Sequence, residues 1–173
     1  ADMLRIVTMT YAGWVGKTDS ATRLLSWWVG ALVVTALDGE VPCVAWGRNR
    51  NGDSLHLPCR ARMPNREDAQ ERLRDLLDIY AQGQGAPLPL PPRTAFAYAM
   101  ATLAGRPDRV VATARSAWIG GYNTYAECSD RWFELALRGR ELFDDGELQE
   151  RLEDLTGGVY VPMCLALTDG ELP

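Results

Sequence analysis

The sequence predicts an α/β fold in a single domain of 173 residues. Two observations lead to this prediction. Residues 1–63 carry the patterns of strand, helix, strand and strand, whereas residues 64–173 carry mainly helical patterns. With 47% hydrophobic residues, the chain is long enough for one sizeable core and too short for two generous ones. Because it opens abruptly on a strand-like run, we expect a C-terminal fragment of a longer chain.

The first half is predicted to contain three strands and one buried helix. Residues 5–11 alternate in polarity and are rich in β-branched side chains, which indicates a strand. Residues 20–37 are apolar nearly all the way round, so we expect a helix that is buried on most sides. Residues 41–46 and 54–62 predict two further strands, joined by a loop in which Asn51-Gly52 is a strong turn signal.

The second half is predicted to be a series of helices interrupted by a proline-rich segment. The first helix is capped by Asn65, and its apolar residues share one face: Ala69, Leu73, Leu76, Leu77 and Tyr80. Residues 87–92 follow as an extended strap, because proline fixes its own backbone and restrains the residue before it. Four more helices are then predicted, at residues 94–103, 107–120, 130–137 and 146–155.

Charge, cysteine and hydropathy patterns restrict the function classes. A net charge of -5 argues against nucleic-acid binding by bulk electrostatics, and we expect weak, steeply salt-dependent DNA binding by the chain alone. No apolar run reaches the roughly 20 residues of a membrane-spanning helix, and the start lacks the pattern of an export signal. The four cysteines are dispersed without CxxC pairing, which favours reduced thiols over a zinc site. We therefore expect a cytoplasmic protein without membrane association, metal or cofactor.

One turn imitates a phosphate-binding P-loop. Gly16-Lys17-Thr18 matches the end of that motif, but only two residues separate Gly13 from Gly16, where the motif needs four. We predict no catalytic residues, and therefore neither ATPase nor nuclease activity in the chain itself. Two alternatives stay open: a small nucleotide hydrolase that uses Gly16-Lys17-Thr18, and a metal-dependent nuclease whose acidic residues the pattern does not reveal.

Basic and aromatic residues are interleaved in the predicted hairpin. Trp46 stands near Arg48 and Arg50, and Arg60 and Arg62 follow on the next strand. These four arginines are candidate DNA contacts, because such a hairpin suits a nucleic-acid backbone and stacked bases. They equally suit the solvent side of an edge hairpin, where charges discourage aggregation, and we favour this second interpretation.

Three motifs between residues 68 and 118 together point to a family. They are Ala69-x3-Leu73 with Leu76-Leu77-x2-Tyr80-x2-Gly83, Pro87-Leu88-Pro89-Leu90-Pro91-Pro92-Arg93-Thr94-Ala95-x-Ala97-Tyr98, and Ala114-Arg115-x-Ala117-Trp118. This text resembles the C-terminal region of RecC, the gamma subunit of exodeoxyribonuclease V. The preceding helix with Leu24-Leu25-x-Trp27-Trp28 is similar to a leucine- and tryptophan-bearing helix of that family.

The resemblance implies a fold and a role. The fold would be a catalytically dead, nuclease-like domain of the PD-(D/E)xK or restriction-endonuclease-like type. The role would be that of a non-catalytic scaffold in an ATP-dependent helicase and exonuclease complex for double-strand-break repair and homologous recombination. RecB-like and RecD-like subunits would be its partners, and double-stranded DNA ends would be reached through the complex. We expect the RecD-like motor to dock near the proline strap and Trp118, with candidate contacts at Leu88, Leu90, Arg93 and Trp118.

Overall fold

The computed structural model describes residues 7–11, 21–39, 42–48, 55–121 and 126–168. The chain divides into two compact units. Unit 1 comprises Ala1–Asp75 and Leu165–Pro173, and unit 2 comprises Leu76–Cys164. The organisation as a single domain with a β-α-β-β half stays a prediction.

The described strands of unit 1 form one small mixed sheet. Strands β1 (Val7–Tyr11), β2 (Cys43–Arg48) and β3 (Leu55–Ala61) lie in the order β1-β2-β3. β1 pairs with β2 in parallel and β2 pairs with β3 antiparallel. Helix α1 (Ala21–Asp38) makes the connection between β1 and β2, as a parallel pair requires. The predicted strands and this helix are confirmed within two residues of their expected ends.

Helix α1 buries one face, whereas the sequence predicted burial on most sides: Val33 and Leu37 are 42% and 70% exposed. Its C-terminal carbonyl groups need partners outside the helix. Arg66 Nη2 donates to Leu37 O at 2.9 Å and Gln70 Nε2 donates to Ala36 O at 3.2 Å. Thr35, buried within the helix, donates its hydroxyl to Ala31 O at 2.9 Å. The buried residues are Ala21, Leu24, Trp27, Trp28, Ala31, Leu32, Thr35 and Ala36.

Helix α2 (Arg66–Gly85) begins at the predicted cap. The Asp68 backbone N–H donates to Asn65 Oδ1 at 2.9 Å, and Asn65 Nδ2 donates to Asp68 Oδ2 at 2.8 Å. This reciprocal pair satisfies one of the free N–H groups of the first turn. The cap prediction is therefore confirmed.

Four more helices follow, and the last is much longer than expected. They are α3 (Pro92–Leu103), α4 (Val110–Ile119), α5 (Arg131–Leu137) and α6 (Gly146–Thr168). The sequence predicted the end of α6 at residue 155, but the helix continues through Gly157, Gly158 and Pro162. A Cβ on Gly158 would stand 3.1 Å from Ile79 Cδ1, so the missing side chain permits close packing there. Burial of the following residues outweighs the weak helix propensity of glycine and proline.

The predicted fold class, an α/β nuclease-like domain of the PD-(D/E)xK type, is wrong. Six α-helices of 7 to 23 residues dominate the described chain, whereas its strands have only 5 to 7 residues. An α/β fold has helices on both faces of a mostly parallel sheet. The described strands supply only one parallel pair. Local patterns located most of the elements, but the family resemblance led us to assign the three short strands to a nuclease-like α/β sheet.

Candidate protein interface

The proline strap was predicted at residues 87–92, and its last residue, Pro92, is the first residue of α3. The strap leads from α2 into α3 and folds back on its own unit. A Cβ at Gly83 would lie 3.3 Å from Leu88 Cδ1, so this leucine packs closely on the end of α2. The Leu90 N–H donates to Leu88 O at 2.8 Å, and the prolines on either side of Leu90 are buried. Leu88 and Leu90 are each half-buried. The strap therefore presents only part of these two candidate contacts to solvent.

A buried carboxylate caps the N-terminus of α3. Glu127, only 5% exposed, accepts three hydrogen bonds there. Its Oε1 accepts from the Arg93 N–H at 2.9 Å, and its Oε2 accepts from the Thr94 N–H and hydroxyl, both at 2.8 Å. A negative charge at a helix N-terminus is favourable, because the free N–H groups and the helix dipole point at it. Arg93, half-buried, thus takes part through its backbone in a structural contact.

Sequence reasoning missed Glu127. It lies more than thirty residues along the chain from the first turn of α3, so no local motif connects the two. The same carboxylate acts on Tyr160, which is buried on α6. Burial raises the pKa of the Tyr160 hydroxyl, and the charge of Glu127 raises it further. The loop after α4, the start of α3 and helix α6 thus share one interior.

Trp118 belongs to the core of unit 2. It is only 4% exposed and packs edge-to-face on Phe133, with ring centroids 5.9 Å apart and an angle of 75° between the planes. This corrects the expectation that Trp118 lies at a docking surface. The helical spacing of Trp118 is compatible with either a buried or an exposed face of α4, and in the structure this face is buried.

Two pairs of large apolar side chains do lie on the surface of unit 2. The α2 pair is Leu77 and Tyr80, with exposures of 64% and 65%. The α5 pair is Trp132 and Leu135, with exposures of 70% and 64%. Members of each pair are three residues apart and therefore lie on one helix face. Large apolar residues that share a face usually pack against a neighbour, so these faces are candidate contact surfaces.

Neither pair was identified as an interface from the sequence. Leu77 and Tyr80 were predicted to share one apolar face of α2 with Ala69, and Ala69 is the buried residue of that helix. Trp132 and Leu135 have the spacing of a core face, and nothing in the sequence distinguishes an exposed face from a buried one. Exposure is decided by which helices pack together, so it was visible only in the structure.

The candidate DNA contacts lie mostly beyond what the structure describes. The backbones of Arg48 and Arg60 belong to β2 and β3, where they pair with Leu55 and Val44. Their side chains and the whole of Arg50 lie outside the described residues. Arg62 is exposed just after β3, and its N–H donates to Ala166 O at 2.9 Å. Whether these arginines share a surface stays a prediction.

The turn with Gly16-Lys17-Thr18 also lies outside the described residues. Within the described ranges, no three His, Cys, Asp or Glu side chains are grouped in a way that could hold a metal ion. Of the helices that the structure describes, none has both the length and the apolar character needed to cross a membrane.

Comparison with known proteins identifies the family. The family model of the RecC C-terminal domain matches residues 4–103, more than half of the 173 residues. The chain therefore belongs to the RecC C-terminal domain family, which confirms the resemblance seen in the sequence. Membership indicates a domain of a subunit of the RecBCD complex, in the context of exodeoxyribonuclease V. No curated protein matches the chain. The α2 pair lies within the matched residues, and the α5 pair lies beyond them.

Proposed function

We propose that this chain is a non-catalytic scaffold of a RecC-type subunit. It holds the RecB-like and RecD-like subunits together in an ATP-dependent complex that processes double-stranded DNA ends for repair and recombination. The observation that carries the proposal is the exposure of the α2 pair, Leu77 and Tyr80, within the part of the chain that matches the family.

The chemistry of the α2 pair suits protein contact. Fully burying a large apolar side chain contributes roughly 1.5 to 3 kcal/mol each. Tyrosine is enriched at energetically dominant interface positions, because it brings a large rigid area and a hydroxyl group with little loss of side-chain entropy. A helix surface is also rigid before binding, so docking costs little ordering. Leu77 and Tyr80 thus offer a preorganised anchor.

The RecD-like motor is the partner that we assign to this surface. The family resemblance led us to expect that motor on the helical second half, near the strap. Leu88 and Leu90 add half-exposed apolar area just beyond the end of α2. We therefore propose one docking region that includes the second half of α2 and the strap, with the α2 pair as its centre.

A charge-introduction experiment tests the proposal in the full-length subunit. The test variant carries Leu77→Glu and Tyr80→Glu. The matched control carries Ala112→Glu and Thr113→Glu, which add the same charge at two exposed positions of α4. Each variant is co-expressed with the RecB-like and RecD-like subunits, and the complex is separated by size.

We expect the test variant to lose at least about tenfold of its RecD-like subunit, since each buried charge costs more than 1.4 kcal/mol. It should retain the RecB-like subunit, which reports that the chain is folded. The control should retain both subunits. Full retention of both partners by the test variant would show that the α2 pair is not a docking surface.

A further inference from the structure

Helix α5 presents an ordered strip of side chains to solvent. With about 100° of rotation per residue, Trp132, Leu135 and Arg131 follow one another across its exposed side, and Arg138 lies beside Arg131. Glu134 lies at the far edge. Trp132 and Leu135 are the α5 pair, and Arg131 and Arg138 are also exposed. One half of the strip is therefore apolar and the other half is basic.

The two arginines of the strip have no acidic partner among the described residues. Arg131 stacks on Trp132, with its guanidinium carbon 5.5 Å from the ring centroid. Arg138 ends the helix in the left-handed region, with φ 53. By contrast, Arg140 just beyond the helix is held by Asp145 at 2.6 Å and by Glu147 at 2.9 Å. The strip thus places two arginines that have no acidic partner in the described ranges beside an exposed tryptophan.

We propose that the α5 strip binds a segment of a partner subunit in which an apolar side chain is flanked by carboxylates. The apolar side chain would cover Trp132 and Leu135, and the carboxylates would pair with Arg131 and Arg138. Arginine suits this role, because its planar guanidinium meets a carboxylate with two parallel hydrogen bonds. The inference rests on the proposed scaffold function and adds a second contact, outside the residues matched by the family.

A nucleic acid is the less suitable occupant. Stacked bases need an open aromatic face, and Arg131 already covers part of Trp132. Leu135 also offers nothing to a phosphate. An acidic amphipathic segment can contact the apolar half of the strip with its apolar side chain and the basic half with its carboxylates.

Site-specific photo-cross-linking in the assembled complex tests the inference. The photoreactive residue p-benzoylphenylalanine replaces Trp132 or Leu135 in the full-length subunit. The control carries it in place of Thr113, an exposed residue of α4. The complex with both partner subunits and a DNA end is irradiated, and the cross-linked peptides are identified by mass spectrometry.

We expect positions 132 and 135 to cross-link to one partner segment with at least two carboxylates beside an apolar residue, and position 113 to give no such product. Adding Arg131→Glu and Arg138→Glu should lower the yield at position 135 at least about fivefold, whereas Arg131→Lys and Arg138→Lys should retain most of it. Cross-links to DNA, to a second copy of the subunit or to a segment without acids would overturn the inference. So would equal yields at position 113, or no product at positions 132 and 135. Any of these results in an intact complex leaves the scaffold function standing, because that function is tested separately by partner retention in the Leu77→Glu and Tyr80→Glu variant.

Discussion

Two regions of unit 2 differ in burial: the start of α3 is buried and hydrogen-bonded, whereas one face of α5 exposes large apolar side chains. At the start of α3, Glu127 satisfies two backbone N–H groups and a hydroxyl within a buried interior. On α5, Trp132 and Leu135 face solvent. Asp130 caps that helix through the Trp132 N–H at 2.8 Å, so its backbone start is also satisfied. Both helices are capped at the N-terminus, so the two regions differ only in whether their side chains are buried or exposed.

The comparison separates residues that hold the unit together from residues available to a partner. Trp118 and Trp132 show this difference most simply, because both are tryptophans and one is buried whereas the other is exposed. Removing the buried one should reduce folding stability. Removing the exposed one should reduce assembly and leave stability unchanged.

The largest expected effect is on the alkylation rate of the buried thiol of Cys164, compared with that of a free cysteine. Burial on α6 raises the pKa of Cys164 to about 12, and the thiolate is the reactive form of cysteine. This thiol gains reactivity only as the pH approaches that value. At pH 8 we expect Cys164 to be alkylated at least about a thousandfold more slowly than a free cysteine, whose pKa is near 8.5. Peptide mapping after timed alkylation measures the rate, and rapid labelling in the native state would contradict burial.

Trp118→Ala should have the largest effect on stability. The side chain is buried against Phe133, and its removal leaves a large cavity in the core of unit 2. We expect the free energy of unfolding to fall by about 4 kcal/mol. Denaturant titration of the purified chain measures this loss. A loss below about 1 kcal/mol would mean that Trp118 does not support the core.

Glu127→Ala should have the next largest effect. The substitution leaves the Thr94 N–H and hydroxyl, both buried, without their acceptor. We expect a loss of about 3 kcal/mol in the free energy of unfolding. Glu127→Gln keeps one carbonyl acceptor and should lose less. Equal losses in the two variants would argue against the hydrogen bonds as the source of stability.

Trp132→Ala should have the smallest effect on folding. The side chain is mostly exposed, so we expect a change within about 0.5 kcal/mol. Denaturant titration measures this change in the free energy of unfolding, and Trp118→Ala is the matched tryptophan substitution. A destabilisation comparable to that of Trp118→Ala would show that Trp132 supports the fold, and the contrast between the two regions would disappear.

Much of the local structure was predictable from the sequence, and the architecture was not. The Asn51-Gly52 turn signal, the Asn65 cap and the apolar run at residues 20–37 are short-range signals, and they located β2, β3, α2 and α1. The length of α6 depends on burial beyond Gly158 and Pro162, which local propensity opposes.

The candidate interface was still less predictable. The sequence drew attention to Trp118 and the strap because their motifs match the family, but family motifs also mark core residues. Glu127 was invisible because its partners are distant in sequence. The exposure of Tyr80 and Trp132 depends on which neighbours their helices lack, and a sequence pattern does not contain that information.

Hydroxyl-radical footprinting of the full-length subunit, alone and in complex with the RecB-like and RecD-like subunits, tests the scaffold function most directly. Tyrosine and tryptophan are oxidised according to their exposure, and Trp118 serves as a buried internal reference. We predict that oxidation of Tyr80 and Trp132 falls at least about fivefold on assembly, while Trp118 stays slow in both states. Unchanged oxidation of Tyr80 and Trp132 in the assembled complex would contradict the account, because the exposed pairs would then hold no partner.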